Sequence, residues 1–119
     1  MNAPERHKCY LLDDDEKRMT YSNDQRIPNA GTFVINKEDH TIGNLLRMQI
    51  LRSPDTKFAG YQLPHPLMNE CRVKIQTTSA GTTPIAAFQR AIEDLQGECE
   101  VLDRNFREEV AKKKAQQAS

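Results

Sequence analysis

From residue 32 onward the chain passes through alternating, helical, alternating and again helical spacing of its apolar positions, and each period predicts an element. "TFVIN" at 32–36 is β-branched and aromatic, a strand pattern. "CRVKIQTT" at 71–78 alternates Cys71, Val73, Ile75 and Thr77 against Arg72, Lys74, Gln76 and Thr78. That predicts an antiparallel strand with one buried and one wet face. "KFAGYQL" at 57–63 is a further strand, ended by "PHP", and "CYLL" at 9–12 reads as a short strand near the start. Between "CYLL" and "TFVIN", residues 13–31 form a polar loop or a weak hairpin closing on Pro28, Asn29 and Gly31.

The first helical run begins within "KEDHTIGNLLRMQILRSP" at 37–54. Asp39 or Thr41 can cap it, because a side-chain oxygen there accepts from the unpaired N–H groups of the first turn. At about 100° per residue, Ile42, Leu45, Leu46 and Ile50 fall on one broad face and Met48 and Leu51 on another. Two apolar stripes suggest that one side lies on the chain's own sheet and the other meets a partner, the alternative being a helix buried deeply within one domain. Gly43 costs about 1 kcal/mol relative to Ala in a helix, which suits a close approach by another backbone. "RSP" at 52–54 stops the run, since a residue before Pro resists helical geometry.

The second helical run is longer. Thr83 is placed as N-cap and Pro84 at the first helical position, where a missing N–H is harmless. Ile85, Phe88, Ile92, Leu95, Cys99, Leu102 and Phe106 then follow at alternating spacings of three and four, a heptad seam. Acid-first i,i+4 pairs support the helix on its polar faces: Glu100 with Arg104, Asp103 with Arg107, Glu108 with Lys112 and Glu109 with Lys113. A helix from 84 to about 114 would span roughly 45 Å, longer than the roughly 30 Å diameter of a domain this size. Part of the seam therefore extends past its own sheet, and an exposed apolar seam calls for a partner helix. Gly97, mid-helix and off the seam, has no account at this level.

Composition narrows the function classes. At 119 residues the chain is one domain, expected to span 1–119 with a flexible tail from about 115. Seventeen basic and seventeen acidic residues cancel, so no global field draws it to nucleic acid or anionic lipid. Hydrophobic content of 37% without Trp is low for a self-sufficient core. Cys9, Cys71 and Cys99 are scattered and odd in number, which fits free thiols in a reducing compartment. No signal-peptide run and no apolar stretch near the roughly 18 residues of a membrane span is present, so a soluble intracellular protein is expected. His7, His40 and His65 supply no metal-ligand spacing, and the acids Asp13 to Glu16 read as a solvated loop. Asp39 beside His40 has the composition of an acid/base pair, but sequence neighbours point in different directions and no nucleophile setting accompanies them.

The elements in order are strand, strand, helix, strand, strand, long helix, an α+β arrangement. "FVINKEDHTIGNLLRMQIL", "FAGYQLPHPL", "VKIQTT" and the helix at 87–106 together resemble the family of small alpha-like subunits of eukaryotic RNA polymerase II, over nearly the whole chain. The opening "MNAP" resembles that family rather than its relatives in polymerases I and III, which are the alternative. Departures are Ile42, where Leu is usual, and the turn "SAGTTPIAAF". The resemblance implies an alpha-type dimerisation domain: a small, mostly antiparallel sheet, one short helix, one long C-terminal helix and a core shared between two subunits. It implies a heterodimer with the larger alpha-like subunit, joined afterwards by the large catalytic subunits and small assembly subunits. It implies a nuclear protein that supports mRNA transcription, with no catalytic, cofactor or metal site, no specific nucleic-acid contact and no membrane association. The partner interface is expected on Ile42, Leu45 and Leu46 of the short helix and on Ile85, Phe88, Ile92, Leu95, Cys99, Leu102 and Phe106 of the long one, with Asp39, Thr41 and Thr83 as helix caps.

Overall fold

A computed structural model describes residues 5–79 and 81–118, so "MNAP" and Ala80 of the turn before the long helix lie outside the described residues. The strands are β1 (Met19–Asn23), β2 (Ala30–Asn36), β3 (Thr56–Gln62) and β4 (Glu70–Thr77). Helix α1 (His40–Leu51) lies between β2 and β3, and α2 (Pro84–Ala118) follows β4. The strands form one antiparallel sheet in the order β1-β2-β4-β3. Both β2 and β3 pair antiparallel with β4, so they run parallel to each other. A link between strands in that relation needs a crossover, and α1 supplies it.

The alternation in β4 is realised as expected. Cys71, Val73, Ile75 and Thr77 are buried, while Arg72 and Thr78 are exposed and Lys74 and Gln76 lie between. Register carries the same face across the sheet: Phe33 stands opposite Val73, Ile35 opposite Cys71 and Ala59 opposite Ile75. Leu46 and Ile50 of α1 and Ala87, Phe88 and Ala91 of α2 close this layer into one core. At about 1.5–3 kcal/mol per fully buried large side chain, this layer holds the sheet and both helix roots together.

Three expectations are corrected. "CYLL" is not a strand, because Arg6–Cys9 form a 3-10 turn and Tyr10 and Leu11 are exposed. The place beside β2 belongs to Met19–Asn23, inside the segment read as a polar loop or weak hairpin. Tyr21 holds it there through its ring contact with Phe33, at 4.6 Å between centroids. Gly43 is crowded by a side chain and not by another backbone: a Cβ there would run into the Tyr61 ring and come within 2.8 Å of Cys71 Sγ. Finally, α2 continues as helix through Ala118, past the expected end near 114. Its last turns are Ala, Lys and Gln without Gly or Pro, all strong helix formers.

Candidate partner interface

The short helix begins at its predicted cap. Asp39 Oδ1 accepts from the Thr41 backbone N–H at 3.0 Å and the Asp39 carbonyl from Gly43 N–H at 3.0 Å. Thr41 is therefore the capped residue and not the cap. The neighbouring His40 turns to the sheet, with Nδ1 3.0 Å from the Tyr61 hydroxyl. The two side chains that looked like an acid/base pair thus serve separate structural contacts. Beneath them Cys71 is buried, and burial, followed by the charges of Glu38 and Asp39, pushes its thiol pKa up. Such a thiol stays protonated and unreactive.

The outer side of α1 carries apolar residues that the chain itself leaves uncovered. Leu46 and Ile50 face the core, Ile42 packs partly against it, and Leu45, Met48 and Leu51 are exposed. Leu45 therefore belongs with Met48 on the outer side, not with Leu46. Gln49 is buried beside Ile50 and receives the Arg52 guanidinium at 3.1 Å. The same guanidinium reaches Glu98 of α2 at 2.9 Å. This strap ties the C-terminal end of α1 to α2 through polar groups.

The long helix starts at Thr83, whose Oγ1 accepts from Ala86 N–H at 3.1 Å and whose carbonyl accepts from Ala87 N–H at 3.0 Å. Its first turns are anchored: Pro84, Ala87, Phe88 and Ala91 are buried, and the Phe88 ring stacks on Phe33 at 4.1 Å. Ile92 and Leu95 pack on the margin of the same core. Beyond Leu95 the seam is open among the described residues: Cys99 is exposed, Leu102 is 70% and Phe106 67% exposed. At 1.5 Å per residue the 35-residue helix runs about 52 Å. The chain's radius of gyration is 18.6 Å, against about 13–14 Å for a compact domain of this length. A helix of that length, rooted in the core only at its start, makes the molecule elongated.

The predicted interface set thus divides. Leu46 and Phe88 lie in the chain's own core, and Phe88, at 5% exposure, has almost no surface left to give a partner. Ile42, Ile92 and Leu95 are shared between core and surface. Leu45, Ile85, Cys99, Leu102 and Phe106 are open. Sequence reasoning left out Val101, which is exposed on α2 but falls outside the three–four spacing; its position next to Leu102 is the signal that could have found it. Among the i,i+4 pairs, Asp103 and Arg107 meet at 3.1 Å, while Lys112 takes Glu109 at i,i+3 and not Glu108. No group of three or more His, Cys, Asp or Glu that could hold a metal ion occurs among the described residues, and no described helix is long and apolar enough to cross a membrane.

Residues 30–105, which contain both helix roots and the open seam as far as Leu102, match the RNA polymerase Rpb3/Rpb11 dimerisation domain. The chain is 46% identical over 114 residues to DNA-directed RNA polymerase II subunit rpb11 of Dictyostelium discoideum, covering 96% of this chain and 94% of that protein. It is 41% identical over 81 residues to the DNA-directed RNA polymerases I and III subunit RPAC2 of Saccharomyces cerevisiae, covering 68% of this chain and 56% of that one. The crystal structure of DNA-directed RNA polymerase subunit L from Thermoplasma acidophilum superposes with a TM-score of 0.62 at 22% identity, over 78% of this chain and 90% of that chain. That last likeness concerns the fold.

Proposed function

We propose a function from one premise: this chain belongs to the RNA polymerase Rpb3/Rpb11 dimerisation-domain family. It is a subunit of DNA-directed RNA polymerase II that pairs with the larger alpha-like subunit and so builds the platform on which the large catalytic subunits assemble. It works in the nucleus, contributes to mRNA transcription and carries no catalytic residue of its own. The observation that carries this reading is the far half of α2, where Cys99, Val101, Leu102 and Phe106 stand exposed on a helix that its own sheet cannot reach. Burying such side chains releases roughly 1.5–3 kcal/mol each, and a second chain is the available source of cover. The Rpb11 likeness spans nearly the full length of both proteins, whereas the polymerase I and III relative is matched over little more than half of its own length, which favours polymerase II.

The solution mass of the chain, purified alone and then coexpressed with the larger alpha-like subunit of the same organism's polymerase II, tests the proposal. A soluble one-to-one complex is expected, with the lone chain aggregated or self-associated. A stable monomer indifferent to that subunit would overturn it. Preferential pairing with the alpha-like subunit of polymerases I and III would move the chain to those enzymes.

A further inference from the structure

Helix α1 is fastened to the rest of the chain on two sides. At its start, on the β3 side, His40 Nδ1 lies 3.0 Å from the Tyr61 hydroxyl, and the two rings meet edge to face at 5.7 Å between centroids. The Tyr61 ring occupies the place that a side chain at residue 43 would take, so α1 seats on it only because that residue is glycine. Near its end, on the α2 side, the Arg52 guanidinium joins Gln49 at 3.1 Å to Glu98 at 2.9 Å. At about 100° per residue, His40 and Gly43 stand on the opposite side of the helix from Gln49 and Arg52. The exposed Leu45, Met48 and Leu51 lie on the outer arc between the two fastenings. The fastenings are unequal. Arg52 and Glu98 are both more than half exposed, and such a pair contributes little, whereas Tyr61 is packed against the core. The Tyr61 ring is therefore the rigid stop against which α1 is held. Its position matters to a surface that must fit another chain, because a roll of about 20° carries side-chain tips, about 5–6 Å from the helix axis, through about 2 Å.

We propose that Tyr61 and His40 are positioning residues for pairing: they set the roll of α1 and so aim Leu45 and Met48 at the larger alpha-like subunit, with Gly43 admitting the Tyr61 ring beneath the helix. The inference rests on the pairing reading above and adds to it a device inside this chain that acts on the interface without touching the partner. Packed interiors do not absorb misplaced side chains. An added Cβ at residue 43, within 2.9 Å of Tyr61 Cε2 and 2.8 Å of Cys71 Sγ, must lift or turn the helix and misdirect its outer stripe.

Competition for a limiting amount of the larger alpha-like subunit tests it, by co-refolding tagged wild-type chain with an equal amount of variant and measuring the ratio incorporated. Gly43→Ala is expected to be incorporated about tenfold less well than wild type, as overpacking a close contact does. Combining it with Tyr61→Leu, whose narrower side chain makes room for the added Cβ, should restore most of that loss. Tyr61→Phe keeps the ring and removes only the hydroxyl that meets His40, so a loss of about threefold is expected; it decides the matter if Gly43→Ala folds poorly. Tyr21→Leu is the control for fold stability: it gives up the ring contact with Phe33 on the β1 edge, away from α1, and should lower the melting temperature of the heterodimer while competing as wild type. Leu45→Asp on the outer stripe and Leu102→Asp on the seam are the references for the interface, and both should be excluded. If Gly43→Ala and Tyr61→Phe lose no more than Tyr21→Leu, the contacts serve stability alone and this inference fails with the pairing reading intact. It fails in the same way if Leu45→Asp competes as wild type. If Leu102→Asp also competes as wild type, the pairing reading itself fails.

Discussion

The two halves of α2 carry one and the same spacing and meet opposite fates. In the near half, Phe88 stacks on Phe33 and Ala87 and Ala91 are sealed under α1 and the sheet. In the far half, Leu102 and Phe106 continue the three–four rhythm with more than half of their surface in water. Periodicity states that a face will be buried; it does not state against what. Here the sheet is shorter than the helix, so the core covers the seam from Phe88 to Leu95 and leaves Ile85 and everything beyond Leu95 open.

Phe88→Ala breaks the near half and is expected to have the largest effect, about 3–5 kcal/mol, a sizeable share of the roughly 5–15 kcal/mol that holds a domain together. Denaturant unfolding of the purified heterodimer would report it, together with faster amide exchange in β2 and β4. If those amides stay protected, the ring does not anchor the helix. Phe106→Ala breaks the far half: pairing should weaken by about 2–4 kcal/mol in a dissociation measurement, the range of a buried aromatic anchor, while amide protection in the sheet is unchanged. A loss of sheet protection in that variant would erase the distinction between the halves.

Smaller effects come from the helix starts. Thr83→Ala should cost about 0.5–2 kcal/mol through loss of the hydroxyl cap on Ala86 N–H, and Asp39→Ala a similar amount at Thr41 N–H. Melting temperatures measure both, and a loss of pairing well beyond the loss of stability for Asp39→Ala would place Asp39 in direct contact with the partner.

The smallest effect concerns pH. Asp24 lies in the turn between β1 and β2, on the rim of a cleft whose other side is the start of α2. Its carboxylate accepts from Arg26 and Ile27 N–H at 2.8 and 3.0 Å, and these bonds, with Lys74 at 3.2 Å, hold its pKa below the usual value. A depressed carboxylate stabilises the fold above its unfolded pKa, about 3.9, and loses that contribution as pH falls through the lower folded value. Wild type should therefore melt slightly higher than Asp24→Asn at neutral pH, and the two should converge below about pH 4. A gap that persists in acid would assign the effect to the turn's geometry rather than to its charge.

Legibility followed the strength of each local signal. β4 was readable residue by residue because its alternation is sharp and its two faces meet different solvents. Thr83 and Pro84 were readable because a cap and an N1 proline act within a single turn. β1 was not, because "MTYSN" is a weakly buried edge strand whose place depends on Tyr21 reaching Phe33. Leu45 was grouped with Leu46 because helical angle alone cannot tell how far around α1 the sheet's cover extends; the structure buries Leu46 and leaves Leu45 exposed. Gly43 and Gly97 look alike in the sequence, yet one sits under a tyrosine ring and the other faces open space.

By itself the sequence determined the periods, the caps and the total amount of apolar helix face, since these follow from backbone geometry and nearest-neighbour hydrogen bonding. Tertiary structure decided how that face is divided. The division depends on distances between residues remote in the chain: how far the sheet extends under α2, and where Arg52 meets Glu98. Those distances separate the stretch of seam that stabilises this subunit from the stretch left for its partner.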